Sequence, residues 1–166
     1  PLQGQPVNDI CETAIEISVV SDLGFTCITG NNFLAEPEAF NNGCGIGDFP
    51  TVWFKVNTDW VAALMNIHVK NAEFEAPTIT IFRLVSDCSA LQPVGLTLSQ
   101  LPCIVGSAGN AEAMGTEVGG GEIYYIAISS LNHQGGAFDL CVSTVGNASM
   151  CVVSRDIEIV SRSETG

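Results

Sequence analysis

The strongest constraint on the fold lies in the stretch 121–142, where two segments of strand character flank a short polar connection. Residues 123–130 are rich in aromatic and β-branched side chains, which pack well on a pleated sheet. After the glycine-containing connection 131–136, apolar and polar residues alternate from Phe138 to Val142. Because successive side chains of a strand point to opposite faces, this alternation predicts a strand with one buried face. The short connection predicts that the two strands form a long antiparallel hairpin.

The same period of two recurs through the chain. It predicts strands at 13–19, 25–29, 52–56 and 61–69, while 78–85 carries apolar residues on both faces and is predicted to be central in its sheet. Glycines between 104 and 121 argue against helix there, because each interior glycine costs about 1 kcal/mol. The predicted fold is all-β: a jelly-roll-like antiparallel β-sandwich of about eight to ten strands, stabilised by disulfides.

Four motifs in order resemble the pre-peptidase C-terminal (PPC)-like β-sandwich domains of bacteria. They are Asn8–Ala14, Thr51–Val56, Thr78–Phe82 running into Asp87–Leu91, and the two segments Tyr124–Ser129 and Gly136–Val142. The chain is most similar to the cysteine-bearing version repeated in very large secreted surface proteins of Bacteroidetes-type bacteria, including gliding-motility adhesins and multidomain hydrolases. One departure is Thr51, where the family often has an aspartate.

The resemblance implies a PPC-like domain over residues 7–146. The segment 1–6, with two prolines and a glycine, is predicted to be a linker. We interpret 147–166 as a linker and the start of a following strand or domain, and we expect the chain to be a piece of a longer protein.

Composition excludes two classes of partner. Eighteen acidic and five basic residues give a net charge of −13, whereas binding to nucleic acid or anionic membranes needs clustered Lys and Arg. No apolar run has the length of a membrane span, so we expect no membrane insertion.

The composition also bears on the surface of the domain. Charged residues make up only 14% of the chain and hydrophobic residues 46%. This low share of charge predicts that part of the surface faces neighbouring domains.

The seven cysteines are scattered, at Cys11, Cys27, Cys44, Cys88, Cys103, Cys141 and Cys151. Because no Cys-x-x-Cys occurs and the two histidines are far apart, a structural zinc site is not expected. Scattered cysteines in a lysine-poor β-rich chain indicate disulfides in an oxidising compartment. The family resemblance implies that this compartment is the extracellular bacterial cell surface. The odd count leaves one cysteine unpaired or interdomain, and by position we assign Cys151.

The pairing of the other six is a hypothesis, since six cysteines can be joined in many ways. A Cys27–Cys44 bridge would fasten the long loop 30–48. The segment between Cys88 and Cys103 resembles the family's small disulfide-closed excursion. Cys11 and Cys141 then form the remaining pair, which would tie the first strand to the last.

The sequence offers little evidence for a catalytic site. His68 alternates outward from an apolar strand face and His133 lies in a connection, so both are interpreted as solvated surface histidines. No Gly-x-Ser-x-Gly elbow is present to activate a serine, and disulfides remove most thiol nucleophiles. We therefore expect no enzyme activity.

Acidic residues raise the question of calcium, which binds loop carboxylates and carbonyls. The candidates are Glu36, Glu38, Asp48, Asp59, Glu73 and Glu75. Because the chain has no Asp-x-Asp-x-Asp-Gly loop and has Thr51 where the family often carries an acid, a solvated acidic surface is favoured over a calcium site. No cofactor is expected.

The two tryptophans are the candidate ligand or interaction residues. Trp53 points away from the apolar face of its strand, and Trp60 lies at a strand start. An outward tryptophan can stack on sugars, or it can pack under a loop or against another domain.

The favoured function is a non-catalytic spacer and adhesion module of a large surface protein or fibre, with neighbouring domains or subunits as partners and surface glycans as further ligands. The alternative is an accessory carbohydrate-binding module of a secreted hydrolase or protease.

Overall fold

A computed structural model describes residues 4–37, 49–94 and 103–147, and these ranges contain ten β-strands. In chain order they are β1 (Ile15–Ile17), β2 (Thr26–Asn31), β3 (Thr51–Asn57), β4 (Ala62–Lys70), β5 (Pro77–Leu84), β6 (Leu91–Pro93), β7 (Cys103–Val105), β8 (Ala111–Glu117), β9 (Ile123–Ser130) and β10 (Ala137–Gly146). Two short 3₁₀ turns, Cys11–Thr13 and Cys88–Ala90, precede β1 and β6. The predicted all-β fold is confirmed.

The strands form two sheets that face each other. The larger sheet has the order β1-β3-β9-β5-β6, with β7 also paired to β5, and the smaller sheet has the order β2-β10-β4-β8. The strand pairs of the described residues are antiparallel except for β1 and β3, which run parallel with Ile15 opposite Phe54. The larger sheet is therefore mixed rather than purely antiparallel.

One apolar core fills the space between the sheets. Its fully buried members include Val52, Phe54, Val56, Met65, Ile67, Val69, Ile126, Ile128, Leu140 and Val142. Phe138 of the smaller sheet meets Phe54 of the larger sheet edge-to-face, with ring centroids 6.1 Å apart, and meets Phe74 at 6.0 Å. These contacts join the two layers, because edge-to-face aromatic pairs contribute beyond the apolar area they bury.

The predicted hairpin of the last two strands is wrong, since β9 and β10 lie in different sheets. β9 is paired on both edges, with β3 and β5, and β10 is paired on both edges with β2 and β4. The connection 131–136 crosses between the layers and is held by other loops: Gly136 exchanges backbone and side-chain hydrogen bonds with Asn32, and the Leu131 N–H donates to the Ala76 carbonyl. Alternation correctly gave the buried faces, but it does not specify a strand's partner.

The larger sheet is also apolar on its outer face. Trp53, Phe82, Tyr125 and Ala127 form a second buried cluster there together with Cys11 and Cys88. This cluster explains why β5 and β9 carry apolar residues on both faces, and the predicted central position of β5 is confirmed. The N-terminal segment is fixed over it by two hydrogen bonds of 2.8 Å, from the Trp53 N–H to the Asn8 carbonyl and from the Asn8 side chain to the Trp53 carbonyl.

Gly30 of β2 provides a test of the packing between the sheets. A Cβ placed there would lie 2.5 Å from the Phe138 ring and 3.0 Å from the Phe54 ring. Gly→Ala in a compatible backbone normally stabilises a protein slightly. We expect Gly30→Ala instead to lower the free energy of unfolding by about 1–3 kcal/mol through overpacking, measured by denaturant titration.

Thr29→Ala is the matched control, because Thr29 is the exposed neighbour on the outer face of the same strand. Its expected effect is within about 0.5 kcal/mol. A Gly30→Ala protein as stable as the wild type would contradict the described aromatic packing.

Candidate functional site

Several turns meet at one end of the sandwich, which we call the Trp60 end. The β3–β4 turn carries Trp60, and the β8–β9 turn carries Gly119–Gly121. Backbone hydrogen bonds join these turns to each other and to the end of β10: Gly121 donates to the Asp59 carbonyl, and Asn147 donates to the Val61 carbonyl. The turns therefore form one connected surface.

Asp59 fixes the β3–β4 turn. Its carboxylate accepts hydrogen bonds of 2.8 Å from both the backbone N–H and the hydroxyl of Ser21. The Ser21 backbone N–H, which favours the charged carboxylate, is the main cause of the lowered pKa of Asp59. The loop after β1 and the β3–β4 turn are thereby held together.

Trp60 is 86% exposed, yet its backbone and ring are seated against a glycine turn. A Cβ on Gly121 would lie 2.7 Å from the indole, and one on Gly120 would lie 2.3 Å from the Trp60 carbonyl oxygen. Gly121 also has a φ of +74°, a conformation that favours glycine. Glycine at these positions lets the indole lie directly on the backbone, with most of its surface open to solvent.

A cleft of about 410 Å³ begins at the same glycine turn. It is lined by Arg83, Gln92, Pro93, Val94, Glu117, Val118, Gly119, Glu122 and Tyr124. These residues come from β5, β6, β8 and β9 and from the segments that adjoin these strands, so residues of both sheets line the cleft. Its polar side chains offer hydrogen-bond donors as well as acceptors.

Tyr124 organises the wall of the cleft. Its hydroxyl donates to Glu122 Oε2 at 2.6 Å and accepts from the Gly119 N–H at 2.7 Å. Thr58, which precedes Asp59, accepts from the Glu122 N–H at 3.0 Å and donates to the Gly119 carbonyl at 2.7 Å. The turn that seats Trp60 and the wall of the cleft therefore belong to one hydrogen-bond network.

The charge balance of the cleft is negative. Arg83 lies 3.5 Å from Glu122, and this pair is partly exposed, so it contributes little to stability. Glu117 adds a second carboxylate, leaving two acids against one guanidinium.

The two tryptophans have different environments. Trp60 is exposed, as a ligand-contacting residue requires. Trp53 points away from the inner core as predicted, but it is fully buried in the outer cluster, with its ring centroid 5.5 Å from that of Phe82. The prediction that Trp53 contacts a ligand at the surface is therefore wrong, because the N-terminal segment covers this side chain.

The three predicted disulfide pairings are wrong. The structure joins Cys11 to Cys88 and Cys27 to Cys141. Cys11 and Cys141 cannot pair, because they lie on the outer faces of opposite sheets with the core between them. Cys103 is also disulfide-bonded, but not to Cys88.

Strand register accounts for the second bridge. Cys27 and Cys141 are directly opposite each other on β2 and β10, with Cα atoms 4.0 Å apart. Cys44 and Cys151 lie outside the described residues, so the prediction that Cys151 is unpaired stays a prediction.

Neither histidine forms a catalytic arrangement. Nδ1 of His68 lies 3.3 Å from Glu112, and its ring meets Phe25 edge-on at 4.7 Å. Its cross-strand neighbour Cys141 offers no thiolate, since that sulfur is bonded to Cys27. His133 is exposed, with its ring 4.6 Å from that of Phe49.

The acidic candidates that lie within the described residues do not converge on a metal site. Asp59 accepts from Ser21, and Glu73 accepts from the Ala137 N–H at 2.8 Å. Glu38 and Asp48 lie outside the described residues. Within the described ranges, no three His, Cys, Asp or Glu side chains are placed to hold a metal ion.

The cleft residues were not predicted from sequence. Arg83, Gln92, Glu117 and Tyr124 are dispersed along the chain and become neighbours only through the order of strands in the folded protein. The one local signal is the glycine run 119–121 directly before Glu122, which marks a turn where other groups approach the backbone closely.

The fold and the bridges define a small disulfide-bonded β-sandwich domain, and its disulfides indicate an oxidising compartment such as the periplasm or the extracellular space. In the part of the chain that the structure describes, no helix has the length and hydropathy of a membrane span.

No family model and no curated protein matches the chain. Among solved structures it is similar to the pre-peptidase C-terminal domain of a collagenase from Bacillus anthracis, at 18% identity and a TM-score of 0.45, over 78% of this chain and 93% of that one. It is also similar to PliG, a periplasmic inhibitor of g-type lysozyme from Aeromonas hydrophila, at 11% identity and a TM-score of 0.39, over 79% and 98% of the two chains.

A third similar structure is CsCBM6-3 from Clostridium stercorarium, solved in complex with cellobiose. The identity is 18% and the TM-score 0.34, over 58% of this chain and 66% of that one. At these values the three likenesses concern the arrangement of strands alone.

The ionisation of the Tyr124 phenol reports on the hydrogen bonds in the wall of the cleft. Burial, together with the hydrogen bond to Glu122, raises the pKa of Tyr124 to about 12. Since the unfolded phenol ionises near its ordinary value of about 10, the contribution of Tyr124 to stability is complete below pH 10 and is lost as the pH rises toward 12. We expect tyrosinate absorbance of the folded protein to show this late transition.

The chain has two tyrosines, so single replacements assign the signal. Tyr125→Phe should keep the late transition and Tyr124→Phe should remove it. Glu122→Gln should move it to lower pH. A Tyr124 that ionises near pH 10 in the folded protein would show that the described contacts do not form.

Proposed function

We propose that this domain is a non-catalytic, load-bearing module of a large bacterial cell-surface protein, serving as a structural spacer and interaction domain in an adhesin or fibre. The motif resemblance to surface-adhesin domains supports the setting. The observation that carries the mechanical role is the order of the two disulfides along the chain: Cys11–Cys88 and Cys27–Cys141 overlap rather than nest.

A force applied to the two ends is carried by the shortest covalent path. With Cys151 unpaired, as the sequence predicts, this path follows the chain from Cys11 to Cys27, crosses the disulfide to Cys141 and leaves through the end of β10. The bridge spans a sequence separation of 114, so the residues between Cys27 and Cys141 are outside the path. Between these anchors only segment 11–27 can be drawn out, to a length of roughly 55 Å.

The segment under load is itself attached to both sheets. β1, within it, pairs in parallel with β3 over three residues, and the start of β2 pairs with β10. Ser21, between these strands, is hydrogen-bonded to Asp59 and Thr144. A domain with this arrangement extends little under tension. This property suits a spacer that must keep a constant length.

The Cys11–Cys88 bridge is off this path while Cys27–Cys141 is intact. If the second bridge is removed, the shortest path runs through Cys11–Cys88 and then along the chain from residue 88 to residue 141, roughly 180 Å when extended. The two disulfides therefore make different mechanical predictions, although both are structural.

Single-molecule force spectroscopy on the full chain, pulled from its two ends, tests the proposal. All proteins carry Cys151→Ser, so that no bridge from residue 151 can enter the path. We expect the double variant Cys27→Ser/Cys141→Ser to release roughly 125 Å more contour length than the parent, the difference between the two paths.

The matched control is Cys11→Ser/Cys88→Ser, which removes a bridge of the same chemistry and should leave the released length unchanged. Equal lengths in the parent and the Cys27/Cys141 variant, or release of several hundred ångströms by the parent, would overturn the mechanical role.

A further inference from the structure

The exposed ring of Trp60 lies against the backbone of Gly121. Tryptophan is usually well buried, yet this one is 86% exposed on a turn fixed by Asp59 and seated on Gly121. Because the turn that carries the ring is fixed by Asp59, its backbone loses little conformational freedom when a ligand covers the ring, which favours binding. Nothing in the described fold requires an indole here, since its surface contributes to neither buried cluster.

We propose that Trp60 and the neighbouring cleft form a binding site for a saccharide chain of neutral or amino sugars. One sugar ring would lie with its apolar C–H face on the indole. The next would place its hydroxyl groups against the polar side chains of the cleft.

The Trp60 ring and the cleft adjoin the same turn. Gly121, which contacts the indole, is followed directly by Glu122, which lines the cleft, and consecutive Cα atoms are 3.8 Å apart. Gly119, at the other side of this turn, also lines the cleft. In the proposed site, an extended ligand follows this turn from the indole to the cleft.

The lining favours hydroxyl groups. A hydroxyl both donates and accepts, and the cleft presents the donors Arg83 and Gln92 beside the acceptors Glu117 and Glu122. The Tyr124 hydroxyl holds the Glu122 carboxylate, so the direction of that carboxylate is set before a ligand arrives. Arg83 is half-exposed and lies 3.5 Å from Glu122, so its guanidinium can turn toward a ligand. A few convergent polar groups beside an aromatic surface are typical of small-ligand sites.

Charge excludes several other ligands. The cleft has two carboxylates and one guanidinium, and the chain has a net charge of −13. This negative charge repels nucleic acid, sulfated glycans and uronic-acid polymers. A protonated amino sugar is compatible with this field. The site does not depend on the mechanical role, so either proposal can fail without the other.

The test is titration of the full, oxidised chain with neutral oligosaccharides of four to six residues, namely β-glucan, xylan, mannan and galactan fragments, and with chito-oligosaccharides and their deacetylated forms. Because Trp53 is buried and Trp60 exposed, binding at the proposed site should change the fluorescence of Trp60 and protect it from iodide quenching. We expect saturable binding of at least one oligosaccharide.

Variants separate this site from non-specific adsorption. Trp60→Ala should weaken binding by roughly tenfold or more, as truncation of a central aromatic contact does, while Trp60→Tyr should restore part of it. Gln92→Ala and Glu117→Gln should weaken binding without altering the thermal midpoint by more than a surface substitution does. The matched control is Leu23→Ala, an 80% exposed apolar residue in the loop that Asp59 joins to the Trp60 turn, which should bind like wild type.

Several outcomes would overturn the proposal. One is the absence of saturable binding across the oligosaccharide set, and another is binding that Trp60→Ala leaves intact. A third is equal loss in Leu23→Ala and Trp60→Ala, which would indicate a general apolar surface. Binding of pentalysine but of no sugar, with loss in Glu117→Gln, would assign the site to cationic peptides instead.

Discussion

Burial of the outer face of the larger sheet is the constraint on which the rest of the structure depends. A two-layer sandwich needs one apolar face per sheet, but this sheet carries Trp53, Phe82 and Tyr125 on the face away from the smaller sheet. That face must be covered by other parts of the chain. The N-terminal segment does so, clamped by Asn8 to the backbone of Trp53, and the Cys11–Cys88 bridge ties it to the turn before β6.

The second cluster also changes the meaning of the composition. A chain with 46% hydrophobic and 14% charged residues predicts a surface that partly faces neighbouring domains. The structure shows that some of the apolar content is used inside the domain, in a cluster beside the main core. With the Cys27–Cys141 bridge on the outer face of the smaller sheet, each sheet has a disulfide on the side away from the core, and the order of the bridges determines which segment bears an applied load.

Sequence patterns predicted the strands well because alternation is a local property. The segments 52–56, 61–69 and 78–85 fall within about a residue of β3, β4 and β5, and the outward direction of Trp53 was correct. The pairing of the strands with one another could not be predicted in the same way. A six-residue connection between β9 and β10 suits a hairpin or a crossing between layers, and only the pairing of all four neighbouring strands decides between them. The cysteine pairings failed for the same reason, since they depend on which sheet each strand joins.

The candidate site shows the same limit. The sequence marked both tryptophans as candidates, and only the fold shows that Trp60 is exposed while Trp53 is buried. Arg83, Gln92 and Tyr124 are brought together only by the order β6-β5-β9. Glycine run 119–121 indicated a turn, but its role as a seat for the indole depends on a ring sixty residues earlier in the chain.

The central claim is the pattern of covalent links across the outer faces, and disulfide mapping tests it most directly. The unreduced protein would be digested with a protease that cuts after acidic residues, which separates Cys11 from Cys27 at Glu16, and with chymotrypsin, which cuts at Leu91 between Cys88 and Cys103. The account predicts linked peptides that join Cys11 to Cys88 and Cys27 to Cys141. A peptide joining Cys11 to Cys141, or Cys27 to Cys44, would contradict it.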